Sequence, residues 1–206
     1  MASTWLRTAS ALSTGEPYLW PRAVRPFSRT LAGMAVYALG DLVPQIDPEA
    51  FVHPDATVIG DVHIGPQTTV WPQAVLRGDY GRITVGARTS IQDGSVIHST
   101  LLHPTVIGDD CVIGHLVHME CCTIENGALV GSGSIVLHRA IVREEALVGA
   151  AALVPNDMEV PRRAMALGVP AKLRLDAVEP KLMIQLGARQ YVENGARYRA
   201  GLRRLD

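Results

Sequence analysis

An aliphatic residue returns at every sixth position along most of this chain. Counted from Ile46, it occupies Val52, Val58, Ile64, Val70 and Leu76, and resumes after a break at residues 82–84 with Val85, Ile91 and Ile97. A second break near residues 102–106 precedes Ile107, Ile113 and Met119. One five-residue step then leads into Ile124, Val130, Val136, Val142, Val148, Val154 and Val160. Four places after most of these stands a small or compact residue, among them Ala50, Ala56, Thr68, Ala74, Thr89, Ser95, Cys111, Ala128, Ser134, Ala140, Ala146, Ala152 and Ala164. An amphipathic helix repeats every 3.6 residues and a half-buried strand every two. A period of six, with a branched residue inside and a small one at a corner, predicts a parallel β-helix in which three hexads make one triangular coil. The hexads suffice for about six coils, stacked about 4.8 Å apart.

Composition agrees with such a prism. The chain is 48% hydrophobic but only 5% aromatic, as expected where the interior is too narrow for large rings. With 19 Lys+Arg against 20 Asp+Glu, no basic excess points to nucleic acid. No apolar run approaches the roughly 18 residues of a transmembrane helix. Three cysteines, two of them adjacent at Cys121 and Cys122, make neither a disulfide framework nor a zinc-finger spacing, which favours a reducing compartment.

The ends of the chain read differently. Gly168-Val169-Pro170-Ala171-Lys172 closes the solenoid, and Ile184, Ala188, Tyr191, Gly195, Tyr198 and Leu202 recur at helical spacing. An amphipathic C-terminal helix over 176–206, packed back along a β-helix over 34–175, is expected. Residues 1–33 contain no hexad and carry Arg7, Arg22, Arg25 and Arg29 against the single acid Glu16. They read either as a poorly specified leader of a cytoplasmic protein or as a cleaved transit peptide of a mitochondrial one.

The register places side chains. Every third hexad shares a face, so Arg77, His98 and Glu120, each following its aliphatic residue, form one file, one coil apart. Asp93 and His115 form a second file on the preceding face. Two such files meet if prisms pack side by side around a threefold axis, so a site between the subunits of a homotrimer is expected.

Three stretches closely resemble the γ-class carbonic anhydrases: Trp71-Pro72-Gln73-Ala74-Val75-Leu76-Arg77-Gly78-Asp79, Ser90-Ile91-Gln92-Asp93-Gly94-Ser95-Val96-Ile97-His98, and Ile113-Gly114-His115. The resemblance implies a left-handed β-helix, a trimer and a zinc ion (iron or cobalt in its place) held by three histidines between subunits, acting on CO2 and bicarbonate. It assigns His98 and His115 to the metal. Arg77, Asp79, Gln92 and Asp93 fall to the interface, the zinc-bound water and the substrate, and Tyr191 to a helix tyrosine leaning over the metal. The family's third ligand stands in a His-Gly-Cys context; here that position is Glu120, followed by Cys121 and Cys122. Ser90 replaces a customary asparagine.

Three arrangements stay open at Glu120. It completes a two-histidine, one-carboxylate zinc set; His118 takes its place, although the end of its hexad points towards a corner; or no catalytic metal binds and Glu120 pairs with Arg77 or a histidine. The corresponding functions are a weak or inactive carbonic anhydrase and a non-catalytic assembly subunit. A CoA-dependent hexapeptide acyltransferase or acyl-CoA thioesterase is the further alternative. The loops Tyr80-Gly81-Arg82 and Ser99-Thr100-Leu101-Leu102-His103-Pro104 contain no acid to export a proton, which leaves His103 as the one shuttle candidate. Cys111 and Cys122 read as packing residues, and His53, His63 and His138 as surface or interface residues outside any ligand file.

Overall fold

A computed structural model describes residues 35–205 of the chain; the leader expected over 1–33 lies outside them. The described residues form a left-handed parallel β-helix closed by one C-terminal helix. One face carries seven successive parallel strands, Phe51–Val52, Thr69–Val70, Ser90–Ile91, Val112–Ile113, Leu129–Val130, Leu147–Val148 and Met165–Leu167. The prism therefore makes about seven turns rather than six. The additional turn begins with Ala35–Tyr37, which pairs in parallel with Thr57, Val58 and Ile59 and precedes the first residue of the hexad count.

Each strand is short because only two residues of a hexad lie flat before the corner. The second of them points inward: Val70, Ile91, Ile97, Ile113, Met119, Val130 and Val136 are all fully buried. The small residue four places on is buried as well, as at Ala56, Ala74, Ala128 and Ala140. At three corners a hydroxyl donates to a carbonyl of the next coil, Thr68 to Gly86 at 2.6 Å, Thr89 to Gly108 at 2.7 Å and Ser95 to Gly114 at 2.8 Å, whereas Ser134 donates within its own coil, to the Gly131 carbonyl at 2.6 Å. Those hydroxyls satisfy backbone acceptors that a corner would otherwise leave buried and unpaired.

The corner itself has a fixed backbone signature. The third residue after the inward aliphatic adopts left-handed φ, as at Gln67, Gln73, Arg88, Gly94, Asp110, Leu116, Gly127, Gly133, Arg139, Glu145, Ala151, Asp157 and Arg163, with φ between 53° and 68°. Side chains other than glycine resist this conformation by about 1–2 kcal/mol, so the stacked ladder imposes it. In the five-residue hexad after Met119 the left-handed residue comes one place early, at Cys121 (φ 54°).

Val75–Val85 is the longest strand, at 11 residues, and continues around a corner. Its Arg77-Gly78-Asp79 run shows why glycine stands in the middle: a Cβ at Gly78 would lie 2.5 Å from the Asp61 carbonyl oxygen.

The C-terminal helix begins with one π-helical turn, Lys181–Gln185, after Pro180 and continues as α-helix over Leu186–Gly201, shorter than the expected 176–206. Ile184, Ala188 and Gly195 are its buried residues, while Leu202 at its end is exposed. Gly195 permits the closest approach, since a Cβ there would meet Thr69 Cγ2 at 2.5 Å. The aromatics gather in this seam, outside the prism. Trp71 packs edge-on to Tyr198 and Tyr191, with centroids 5.0 and 5.9 Å away, and against Phe51 at 5.6 Å. The Trp71 Nε1–H donates to Thr69 Oγ1 at 3.1 Å and Ser90 Oγ at 3.0 Å.

Candidate functional site

Strands Val75–Val85, Val96–His98 and His118–Glu120 lie side by side with Arg77 opposite His98 and His98 opposite Glu120. Because Leu76, Ile97 and Met119 point into the core, alternation turns the residue after each of them outward. A continuous polar ladder results. Arg77 pairs with Asp79; Asp79 Oδ1 lies 2.9 Å from His98 Nε2, and His98 Nδ1 lies 3.0 Å from Glu120 Oε1. Two carboxylate acceptors on one imidazole are both satisfied only when both ring nitrogens carry protons. Burial pushes the Asp79 carboxyl up, but the hydrogen bonds from His98 and Arg77 outweigh it and hold Asp79 below the usual carboxylate range. Glu120 is likewise raised by burial, then brought lower overall by His98 and His138.

His138 is the residue that the register failed to place here. Its Nε2 lies 3.3 Å from Glu120 Oε2, so it belongs to this ladder and is not an isolated surface histidine. Counting offsets from each aliphatic residue put it outside the file, since it stands two places after Val136 whereas Glu120 stands one after Met119. The ladder keeps Met119 opposite Val136, so His138 stands level with Cys121, where the Arg139 N–H bonds the Cys121 carbonyl at 2.7 Å, and its side chain reaches back one place to Glu120. The signal in the sequence is that His138 follows Val136, the aliphatic residue one coil beyond Met119, by two places, close enough for an imidazole to reach the Glu120 carboxylate.

Two other histidines differ from expectation. His118 does not turn to a corner: it flanks Met119 on the same strand as Glu120, and its Nε2 lies 4.0 Å from Glu120 Oε2. His63 is buried rather than on the surface. Its Nε2 is 3.1 Å from Asp61 Oδ1, an ion-pair distance without hydrogen-bond alignment, and burial, with Arg82 nearby, draws its pKa down.

On the neighbouring face Ile91 and Ile113 stand opposite each other. Gln92, following Ile91, is buried. Asp93 and His115, two places after these aliphatics, meet with Asp93 Oδ2 2.9 Å from His115 Nδ1. A carboxylate accepts only, so Nδ1 carries the proton and Nε2 keeps a lone pair. Burial and the Asp93 charge push the Tyr191 phenol up, consistent with the helix holding Tyr191 beside this pair. Among the described residues, His98, His115 and Glu120 do not converge within one chain. The donors that do are Glu120, Cys121 and His138, all within 4.8 Å of one another. Cys111 and Cys122 are core residues whose thiols burial pushes up to about 12.

The chain is 41% identical over 138 residues to γ carbonic anhydrase 1, mitochondrial, of Arabidopsis thaliana, a match that covers 64% of this chain and 50% of that protein. It is 40% identical over 139 residues to the carnitine operon protein CaiE of Escherichia coli K12, covering 68% of this chain and 71% of CaiE. The chain belongs to the γ-carbonic-anhydrase-like hexapeptide-repeat family. A solved hexapeptide transferase family protein from Anaplasma phagocytophilum superposes with a TM-score of 0.76 at 37% identity, covering 81% of this chain and 99% of that one. No protein-family model matches. The chain spans half the length of the Arabidopsis relative. Against the γ-carbonic-anhydrase-like pattern, Ser90 has a structural use of its own, as acceptor of the Trp71 indole. Glu120 and Cys121 remain the departures that bear on metal chemistry.

Proposed function

We propose that the chain is a γ-carbonic-anhydrase-like metalloprotein that holds zinc between the subunits of a trimer and hydrates CO2 to bicarbonate slowly or not at all. The observation that carries this reading is the division of the donors. The Asp79–His98–Glu120 ladder occupies one face and the Asp93–His115 pair the next, so that only side-by-side packing of subunits joins them. His98 and Glu120 of one subunit and His115 of the partner subunit would hold the ion. The donor chemistry fits once the proton shared by His98 Nδ1 and Glu120 is displaced: His98 would give Nδ1 while Asp79 keeps its Nε2–H, His115 offers Nε2, and two imidazoles with one carboxylate form a catalytic zinc set with one position left open. Zinc would supply there a bound water acidic enough to ionise near neutral pH.

The chain's own residues do the rest. Asp93 fixes the tautomer of His115, Asp79 orients His98, and Arg77 offers a cation to an anionic product. Gln92 presents an amide beside them, and Tyr191 covers the Asp93 side. Glu120 donates more charge than a third imidazole and holds two histidines of its own, both of which slow hydration. Metal analysis, light scattering and stopped-flow CO2 hydration on protein purified without chelator test the reading. A trimer with about one zinc per subunit and weak hydration is expected; a monomer, or a trimer free of metal and activity, sinks it.

Acyl transfer from CoA is the second reading, favoured by the likeness to the Anaplasma hexapeptide transferase family protein. Acetyl-CoA binding by calorimetry separates the two. Location in mitochondria, the compartment named for the Arabidopsis relative, belongs to the same proposal. No described helix is long and apolar enough to cross a membrane.

A further inference from the structure

Glu120, Cys121 and His138 converge without help from a second chain. One ligand atom of each lies within 4.8 Å of the other two, and Glu120 Oε2 is 3.3 Å from His138 Nε2. The short step after Met119 shapes the corner here. It brings the left-handed corner residue, Cys121, directly after Glu120, and the bond from the Arg139 N–H to the Cys121 carbonyl sets His138 alongside. Carboxylate oxygen, thiolate sulfur and imidazole nitrogen are the three donor types that zinc accepts, at about 2.0–2.3 Å each. Sulfur and nitrogen disfavour calcium and magnesium, which take oxygen. The Glu120 and His138 side chains are 24% and 33% exposed, which leaves an ion an entry path. Cys121 is 2% exposed, so its sulfur is shielded.

We propose that Glu120, Cys121 and His138 form a metal site within a single chain, for zinc or a similar borderline divalent ion, separate from the intersubunit set with which it shares Glu120. Binding exchanges the Cys121 thiol proton, released to solvent, for the ion. Because both sites need the Glu120 carboxylate, occupation of one excludes the other. The single-chain site requires neither a trimer nor His115, so a variant lacking His115 tests it apart from the intersubunit reading.

Cobalt(II) exchanged into the full chain provides the test, since thiolate-to-cobalt charge transfer in the near ultraviolet reports sulfur ligation directly. The band is expected in the wild type and in His115→Ala. It is expected to vanish in Cys121→Gly, and cobalt binding to weaken about tenfold or more in His138→Gln. Glycine suits φ 54° at position 121, so that variant keeps its fold; Cys121→Ser serves as a second. Absence of the band in the wild type, or its survival in Cys121→Gly, overturns the proposal. Loss of the band in His115→Ala with retention in His138→Gln also overturns it, by placing the ion between subunits. A band in a protein that does not form trimers supports the single-chain site and sinks the intersubunit reading alone.

Discussion

His115 turns its Nδ1 to Asp93 Oδ2 across one coil, at 2.9 Å. That contact leaves Nε2 as the only lone pair the ring can offer an ion. Asp93→Ala frees the ring to rotate and to change tautomer, and carboxylates in this role typically account for a 10–100-fold difference in metal affinity. Chelator competition should therefore show zinc binding weakened by about 10–100-fold, with subunit mass in solution unchanged. Equal affinity in the two proteins would show that Asp93 does not position His115.

The ladder from Asp79 to Glu120 makes stability depend on acid. Both carboxyls sit below their ordinary values in the folded chain, so near pH 4 the unfolded chain binds more protons. Their contribution is complete above the unfolded carboxylate pKa of about 4 and is lost as pH falls through the lower folded values. With metal removed by chelator, a first decline in Tm should set in as pH falls below about 6.5, where the lowered pKa of His63 lets the unfolded chain bind the extra proton, and the part that these two carboxyls control should follow below about pH 5. Glu120→Gln removes one of the two groups, so its decline should be shallower. Parallel curves for the two proteins below pH 4 would assign the acid sensitivity to other groups.

Much of this arrangement was legible in the hexads. Arg77, His98 and Glu120 are in register because the sequence shows which aliphatic residue each follows, and inward residues such as Leu76 and Ile97 fix the outward direction of the next. His138 was not legible by the same rule, because it stands two places after Val136 whereas Glu120 stands one after Met119, and the contact is made by side chains reaching across that offset. The left-handed φ at Leu116, Arg139 and Ala151 was also invisible. No composition rule favours those side chains there, and the ladder rather than local preference imposes the conformation. Tyr191 and Trp71 needed the structure because nothing in a helical spacing says which prism face it meets.

Gly78 stands between the paired Arg77 and Asp79, with backbone of the neighbouring coil close to its Cα. A Cβ there would meet the Asp61 carbonyl oxygen at 2.5 Å and the Gly81 carbonyl oxygen at 3.1 Å. Both are main-chain atoms, so neither swings away as a flexible side chain would. Gly78→Ala should cost about 2–4 kcal/mol by urea unfolding. Gly187→Ala is the control, in an exposed helical position with no atom within 4 Å of the added Cβ. It should stabilise by about 0.5–1 kcal/mol. Similar small effects at the two positions would show that the coil spacing relaxes to admit the methyl group.

Trp71 joins the C-terminal helix to the prism through its ring and through its indole N–H. The N–H is shared between Thr69 Oγ1 and Ser90 Oγ, on residues that are 2% and 0% exposed respectively. Trp71→Phe keeps a ring for Tyr191 and Tyr198 to pack on but leaves both hydroxyls without this donor, so a loss of about 1–3 kcal/mol is expected in urea unfolding. Ser90→Ala removes only one of two acceptors and should cost less, about 0.5–1.5 kcal/mol. In the double variant the two losses should not add, because the bond is absent once either partner is gone. Strict additivity would mean that the contact between the indole N–H and Ser90 contributes nothing, leaving Thr69 as the acceptor that matters.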